Sequence, residues 1–252
     1  MFDRRKLFIY KKVKVAVLTT ETPHHIFFVK ELAKEITDIN VICEKPKIIK
    51  YNYKVEHDYE ILREKYENKL WFKGKNKKLE DYVSVKRIDS INSNESFNYL
   101  REINESIFIV FGTRILKKNI YNLNKEYFFN LHGGDPSKYR GLDSHLWAIY
   151  NKDFSSLVTT LHRLDQGIDT GEIFNKKILN FNKNSSLINL RSINTIACVE
   201  LVKNLIFNIK NKTLKTTKQK KIGKYYSAMP HDLKDKTHQI FKNYILKNFK
   251  ND

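Results

Sequence analysis

The chain has 252 residues, a length that suits one large domain or a core with a small appendage. Hydrophobic residues make up 41% and aromatic residues 13% of it, enough apolar surface to exclude wholesale disorder. The 47 basic residues outnumber the 28 acidic ones, a net charge of +19. That charge would attract nucleic acid, acidic membrane surfaces or phosphorylated small molecules without choosing among them, and the scattered lysines are typical of ordinary solvated surface.

Neither the cysteines nor the hydropathy pattern indicates secretion. Only Cys43 and Cys198 are present, so neither a disulfide framework nor a cysteine-based zinc site is expected. No apolar run reaches the roughly 18 residues of a membrane span, and residues 1–6 are followed by too short an apolar stretch for a secretory signal. We therefore expect a cytoplasmic protein with no membrane partner.

The first two thirds of the chain alternate strand and helix patterns. Val13, Val15 and Val17 share one face at period two, which predicts a first strand. A helix is predicted over residues 23–36, followed in order by a strand (40–43), a helix (58–71), strands (106–111 and 126–132), a helix (143–150) and strands (157–164 and 172–179). This alternation is typical of an α/β fold with a doubly wound, open and mostly parallel sheet.

The pattern changes after residue 183. Apolar residues recur at helical spacing from Leu187 to Ile209, which predicts a long amphipathic helix capped by Ser185 or Ser186. The basic segment 212–224 is expected to be a loop or edge hairpin, and residues 232–249 a last helix. We therefore expect a core over residues 1–183 and a C-terminal helical appendage over residues 184–252.

Two polar clusters lie at predicted strand ends, where open α/β sheets bind ligands. Asn130 and His132 are two apart on one strand, so their side chains share a face. Gly133, Gly134 and Pro136 then predict a turn. A second cluster, Asp165-x-Gly-x-Asp169-x-Gly171, follows the next predicted strand. It has too few acidic ligands for calcium. An amide, an imidazole and a carboxylate thus come together as a general base with an oxyanion donor.

The two clusters together resemble those of the folate-dependent formyltransferases. The resemblance rests on the run F-N-L-H-G-G-D-P-S-K-Y-R-G from Phe129 to Gly141 and on D-Q-G-I-D-T-G from Asp165 to Gly171. It is strong over residues 108–178 and general outside them. It implies a Rossmann-like formyltransferase core, N10-formyltetrahydrofolate as the formyl donor, and no metal. The longer run Y-R-G-L-D-S-H-L-W-A-I-Y from Tyr139 resembles the sugar N-formyltransferase branch most.

The resemblance also assigns residues. It implies a catalytic triad of Asn130, His132 and Asp169. It implies that the folate pterin is held, mainly by backbone groups, at two segments: Arg114, Ile115, Leu116, and Leu164, Asp165, Gly167. The sequence departs from the family's usual H-P-S-L-L-P, because Gly133-Gly134-Asp135-Pro136 follows the histidine. We therefore expect a reshaped loop beside His132.

The substrate is less well specified. The loop after the first strand lacks the glycines of a dinucleotide fingerprint. It begins a helix at which His24 or His25 would assist phosphate binding, although Thr22 as the N-cap and Pro23 as N1 explain the stretch equally well. Gly134 and Tyr225 complete the predicted substrate residues, Tyr225 as a ring on which a base would stack or as core packing.

These observations favour formyl transfer from N10-formyltetrahydrofolate to a nucleotide-linked amino sugar, expected to be a 4-amino-4,6-dideoxyhexose of O-antigen or related polysaccharide synthesis. The partners expected are that sugar nucleotide and folate, without nucleic acid; a homodimer is compatible with them. A methionyl-tRNA formyltransferase is the first alternative, supported by the charge, although the roughly 70 residues after the core are mostly helical. A formyl-folate hydrolase and a non-enzymatic nucleic-acid-binding protein are further alternatives.

Overall fold

The structure is a computed structural model that describes residues 13–47, 49–103 and 107–249. Nine strands lie within these described ranges: β1 (Val15–Thr19), β2 (Ile39–Glu44), β3 (Val85–Ile88), β4 (Ile107–Phe111), β5 (Phe128–Gly133), β6 (Tyr139–Gly141), β7 (Val158–Arg163), β8 (Ile173–Ile178) and β9 (Lys224–Tyr226). The α-helices are α1 (Pro23–Ala33), α2 (Asp58–Phe72), α3 (Asn94–Ile103), α4 (Lys118–Tyr121), α5 (Ser144–Tyr150), α6 (Leu187–Lys210) and α7 (His231–Asn248). Short 3-10 turns lie at Leu79–Asp81, Asn122–Asn124 and Phe154–Ser156.

Seven strands form one open sheet in the order β3-β2-β1-β4-β5-β7-β8. The five from β3 to β5 are parallel, whereas β7 and β8 are antiparallel to their neighbours. The predicted doubly wound, mostly parallel sheet is confirmed. Strand order reverses beside β1, which pairs with both β2 and β4. Such a reversal opens a crevice at the carboxyl ends of the strands, where ligands bind in these sheets.

Both faces of the sheet are covered, because β1 and β4 are buried at every position. On one face, Val15 and Val17 belong to the cluster formed with helix α1 and helix α6. On the other, Ala16 and Leu18 belong to the cluster formed with α3 and α4. The continuous apolar runs of these strands therefore reflect a sheet packed on both sides.

Helix α6 is part of the core packing, although it lies within the expected C-terminal appendage. Its residues Cys198, Val202 and Leu205 belong to the same buried cluster as β1 and α1. The helix is long and apolar enough to cross a membrane, but more than half of its most apolar window is buried within the protein. The boundary expected after residue 183 therefore coincides with no break in the core and stays a prediction. Helix α7 packs separately, through Phe241 and Ile245, in a second cluster with α5.

The structure adds elements that the sequence patterns did not predict. Strand β3 and helices α3 and α4 lie in segments for which the sequence patterns predicted no element. Each of these three elements is four to ten residues long. The turn predicted from Gly133 is wrong at that residue, because β5 continues through it. Strand β6 follows and pairs in parallel with β9, whose Lys224 ends the segment predicted as a loop or edge hairpin. Of the predicted segments, residues 1–6 and Ser106 lie outside the described residues.

Candidate functional site

The catalytic residues predicted from the sequence meet at one point. Strand β5 places Asn130 and His132 on one face, and Asp169 reaches them from the loop after β7. The Asp169 carboxylate lies 3.3 Å from the Asn130 amide nitrogen and 3.4 Å from His132 Nδ1. The structure thus brings the amide, the imidazole and the carboxylate within reach of one another, while their roles stay a prediction.

A fourth residue, His162, completes this cluster and was missed by the sequence analysis. Antiparallel pairing sets His162 directly opposite Asn130, and its Nε2 lies 3.2 Å from the Asn130 amide nitrogen and 3.4 Å from Asp169. Its Nδ1–H donates to the Arg163 carbonyl oxygen at 2.8 Å, so Nε2 is the ring nitrogen that faces Asn130 and Asp169. The usable signal was the alternation of Thr160 and His162 on a buried strand, because both side chains face the same side.

The position of Asp169 is fixed by its neighbours. The Gly141 N–H donates to its carboxylate at 2.8 Å, and Arg140 donates to the carbonyl oxygen of Ile168 at 2.9 Å. The Gln219 amide donates to the Asp169 carbonyl oxygen, also at 2.9 Å. Asp169 itself adopts a left-handed backbone at φ 54°, a conformation that Asp and Asn tolerate better than most residues. Strand β6 and the basic segment before β9 therefore hold the loop that carries the carboxylate.

Burial and hydrogen bonding set the protonation of these groups. Burial lowers the pKa of His132 below its ordinary 6.5, although Asp169 acts in the opposite direction. The His132 Nε2–H donates to the Tyr139 carbonyl oxygen at 2.9 Å, so Nδ1 carries the lone pair of the neutral ring. Burial alone would raise the pKa of Asp169, but His132, His162 and the Gly141 N–H outweigh it and lower the pKa to about 2. At neutral pH the pair is an imidazole facing a carboxylate.

The amide of Asn130 is already engaged on both sides. Its nitrogen lies 3.2 Å from His162 and 3.3 Å from Asp169, which are long distances for N–H hydrogen bonds. The oxyanion role predicted for Asn130 therefore requires one of these bonds to be exchanged for a bond to the substrate.

A cavity of about 1420 Å³ opens beside this cluster at the carboxyl ends of the strands. Asn130, His132 and Asp169 line it. So do all six residues predicted to hold the folate ring: Arg114, Ile115, Leu116, Leu164, Asp165 and Gly167. Ile115 is 69% exposed and presents an apolar side chain that a bound aromatic ring would cover. The residues present therefore fit a folate ring, and their assignment to it stays a prediction.

The Arg114 side chain connects neighbouring loops in the wall of the cavity. Its guanidinium contacts the buried carboxylate of Glu44 at 3.1 Å, and it donates to the carbonyl oxygens of Lys45 and Asp89. The same carboxylate accepts the Arg114 backbone N–H. The side chain thus ties three segments together and leaves the backbone of 112–116 along the cavity.

Two of the residues predicted for the substrate are turned away from the cavity. His24 and His25 are buried, do not line it, and contact the Thr22 hydroxyl through Nδ1 at 2.7 and 3.0 Å. Burial lowers the pKa of both, that of His25 to about 3. Neutral, enclosed imidazoles do not attract phosphate, so the predicted role of His24 and His25 finds no support.

Gly134 and Tyr225, the other two residues predicted for the substrate, differ in placement. Gly134 does not line the cavity; its carbonyl oxygen accepts the Thr160 hydroxyl, and a side chain at this position would meet Ser144 at 2.8 Å. Tyr225 lines the cavity and is 47% exposed, which leaves one face of its ring open. In the described part of the chain no cluster of three or more His, Cys, Asp or Glu side chains is arranged to hold a metal ion.

No family model matches this sequence. Among curated proteins, the methionyl-tRNA formyltransferase of Agathobacter rectalis is 39% identical over 88 residues, which are 34% of this chain and 28% of that protein. The bifunctional polymyxin resistance protein ArnA of Wigglesworthia glossinidia brevipalpis is 31% identical over 144 residues, 56% of this chain and 21% of that protein. The matched segments thus span less than a third of these relatives.

Solved structures match over most of the chain. The N-formyltransferase of Helicobacter canadensis, in complex with folinic acid and dTDP-3-aminofucose, matches with a TM-score of 0.58 and 21% identity, covering 85% of this chain and 71% of that one. The formyltransferase PseJ of Anoxybacillus kamchatkensis matches with a TM-score of 0.53 and 19% identity, covering 93% and 92%. These matches confirm, at the level of the fold, the resemblance to the formyltransferases.

Proposed function

We propose that this protein is an enzyme that transfers the formyl group of N10-formyltetrahydrofolate to the amine of a nucleotide-linked amino sugar. One observation carries the proposal: Asn130, His132 and Asp169 meet within hydrogen-bond reach at the wall of a cavity that the six predicted folate residues also line. The two structural neighbours named above contain a folate and a sugar nucleotide. The cavity has the volume and the mixed lining that two such ligands require.

His132 acts as the general base in this proposal. The amine must lose a proton as its nitrogen bonds to the formyl carbon. The unprotonated Nδ1 of His132 would accept that proton and pass it to N10 of the folate as the bond between N10 and the formyl carbon breaks. Asp169, 3.4 Å from Nδ1, stabilises the imidazolium that results. The low pKa of Asp169 keeps the carboxylate ionised for that purpose at neutral pH.

Asn130 stabilises the charge that develops on the formyl oxygen. A hydrogen bond to an anionic oxygen is roughly twice as strong as a neutral one, so the exchange of a long bond for this one is favourable. His162 holds the amide plane in position from the other side. The folate donor supplies the formyl group, and the backbone of Arg114–Leu116 and of Leu164–Gly167 is assigned to its ring.

The finer assignments are part of the same proposal. We assign the substrate as a 4-amino-4,6-dideoxyhexose nucleotide of O-antigen or lipopolysaccharide synthesis, used in the cytoplasm, where Cys43 and Cys198 stay reduced. The motif from Tyr139 to Tyr150, which resembles the sugar branch, supports this assignment. The structural neighbours named above carry both a 3-amino and a 4-formamido sugar, so the position of the amine is the first point to test.

A substrate panel tests the proposed function. The purified protein is incubated with N10-formyltetrahydrofolate and each of a set of 3-amino and 4-amino sugars linked to dTDP, UDP or GDP, and the formamide product is detected by mass spectrometry. We expect one sugar nucleotide to be formylated and Asp169→Asn to form no detectable product. The absence of any product across the panel, with a folded protein, would contradict the proposal.

Methionyl-tRNA is the second candidate acceptor. Two observations favour it: the 39% identity to a methionyl-tRNA formyltransferase over 88 residues, and the net charge of +19. Charged initiator tRNA is therefore included in the panel. Its formylation in place of the sugars would assign the protein to that reaction, because both reactions use the same network and donor.

A further inference from the structure

The cavity wall formed by α2 and α6 contains a cation, Arg63, that has no ion-pair partner among the described residues. Tyr59 and Arg63 lie one turn apart on helix α2, so both side chains are on one face. The Arg63 guanidinium carbon lies 5.3 Å from the centroid of the Tyr59 ring. Both residues line the cavity, together with Arg191 and Asn194 of α6.

Two polar atoms at this wall lack partners. Tyr59 is only 4% exposed, yet its hydroxyl makes no hydrogen bond within the described residues. The buried Nε of Arg63 makes none either. A buried donor without a partner costs free energy, about 1–3 kcal/mol for a neutral group and more for a charged one. Two such groups side by side indicate that their partner is a ligand.

No carboxylate described at this wall forms an ion pair with Arg63. Glu67, one turn further along α2, is fully buried and receives two hydrogen bonds from Arg191, at 2.8 and 2.6 Å. Asp143 accepts the Met229 N–H at 2.8 Å. Within the described part of the chain, no carboxylate oxygen lies within 4.0 Å of the Arg63 guanidinium, whereas the Arg191 guanidinium has the carboxylates of Glu64 and Glu67 within that distance. Burial raises the pKa of Asp143, while the positive charges of Lys234 and Arg63 act in the opposite direction.

We propose that Tyr59 and Arg63 bind the diphosphate of the sugar nucleotide. This inference rests on the proposed function and names the part of the site that recognises its substrate. A planar guanidinium matches two phosphate oxygens, and a neighbouring hydroxyl donates to a third. Lys47 and Lys50, exposed at the same cavity, add positive charge on the approach. Tyr225 offers its ring to the base.

Folate offers the competing source of negative charge, because its glutamyl tail carries carboxylates. Binding of each ligand alone separates the two sources. The dissociation constants of dTDP, UDP and GDP, and in parallel of folinic acid, are measured by isothermal titration calorimetry on the full chain. The variants are Arg63→Gln, Arg63→Lys and Tyr59→Phe, with Lys65→Gln as the matched control on an exposed position of α2.

Arg63→Gln should weaken binding of the preferred nucleoside diphosphate about 10- to 100-fold, since a charge-assisted hydrogen bond is lost. Arg63→Lys should restore part of the affinity, and Tyr59→Phe should weaken binding about fivefold while its ring keeps the packing. Lys65→Gln should bind like the wild type, and folinic acid should bind all variants equally. Thermal unfolding of each variant checks that it is folded.

The results also separate this inference from the proposed function. If Arg63→Gln weakens folinic acid and leaves the nucleotides unaffected, the anion bound at this wall is the glutamyl tail and the proposal is overturned. If the wild type formylates a sugar nucleotide whose KM is unchanged in Arg63→Gln, the function stands and the subsite is wrong. If nucleotides bind in an Arg63-dependent manner without any formyl transfer, the subsite stands and the function is wrong.

Discussion

The two ends of the cavity differ in how completely their polar groups are paired. At the end formed by β5 and the loop after β7, Asn130, His132 and Asp169 are held by one another, by His162 and by backbone groups. At the end formed by α2, the Tyr59 hydroxyl and the Arg63 Nε have no hydrogen-bond partner within the described residues. Reacting groups must be positioned before the substrate arrives, because their reorganisation would add to the barrier. Groups that bind an anion keep their donors free until it arrives.

A substitution of Asp169, at the centre of the end whose polar groups are paired, should have the largest effect on activity. Asp169→Asn keeps the shape and the left-handed backbone of this residue but removes the charge that faces His132 and His162. We expect kcat for the preferred sugar nucleotide to fall about 10³-fold or more, because the imidazolium loses its counter-charge. The KM should change little. Steady-state kinetics measures both, with the exposed Asp38→Asn as a control.

An Asp169→Asn enzyme with kcat near that of the wild type would show that the carboxylate is only structural. A fall in kcat accompanied by a large loss of thermal stability would point to a collapsed loop instead. Circular dichroism on the same samples distinguishes these two results.

Removal of the base itself should have the next largest effect. His132→Asn removes the Nδ1 lone pair, so kcat should fall about 10²-fold or more while the KM for the sugar nucleotide stays nearly constant. The pKa of His132 is lowered by burial, so the acid limb of the wild-type kcat profile should lie below pH 6.5. It should be missing in the variant. A normal kcat with a raised KM would make His132 a binding residue.

The smallest expected effect is on the free energy of unfolding. It tests whether the buried histidines stay neutral in the folded protein. Burial lowers the pKa of His25 to about 3 and that of His145 to about 4, below the ordinary 6.5. As pH falls below 6.5 the unfolded chain gains protons that the folded protein does not, so folding becomes less favourable. The free energy of unfolding should therefore fall by about 1.4 kcal/mol per pH unit for each such histidine.

Urea unfolding at pH 7, 6 and 5 measures this slope. In His145→Gln the new amide can still donate to the Val158 carbonyl oxygen. This variant should reduce the dependence of the free energy of unfolding on pH by the contribution of one histidine. A free energy of unfolding that is constant over this range would mean that these imidazoles take up protons in the folded protein.

The sequence predicted the catalytic cluster better than it predicted the residues that bind the substrate. Local periodicity grouped Asn130 with His132 on one strand, and the resemblance to the formyltransferases joined Asp169 to them. His162 needed the antiparallel register between β5 and β7, which no local pattern contains. The sequence left the role of His24 and His25 open, because it cannot distinguish a helix N-terminus that faces a ligand from one whose imidazoles are buried.

The sequence by itself determined the alternation of strands and helices, the long helix α6 and the pairing of an N-x-H strand end with an Asp-containing loop. The first two depend on periodicity and on residues close in the chain, and the third on the resemblance to the formyltransferases. Only the tertiary structure decided that α6 packs into the core and that β6 pairs with β9. It also decided that Glu67 pairs with Arg191, while no carboxylate of the residues that the structure describes lies within 4.0 Å of Arg63. Glu67 and Arg191 lie 124 positions apart, and such contacts follow from packing between distant segments rather than from any local pattern.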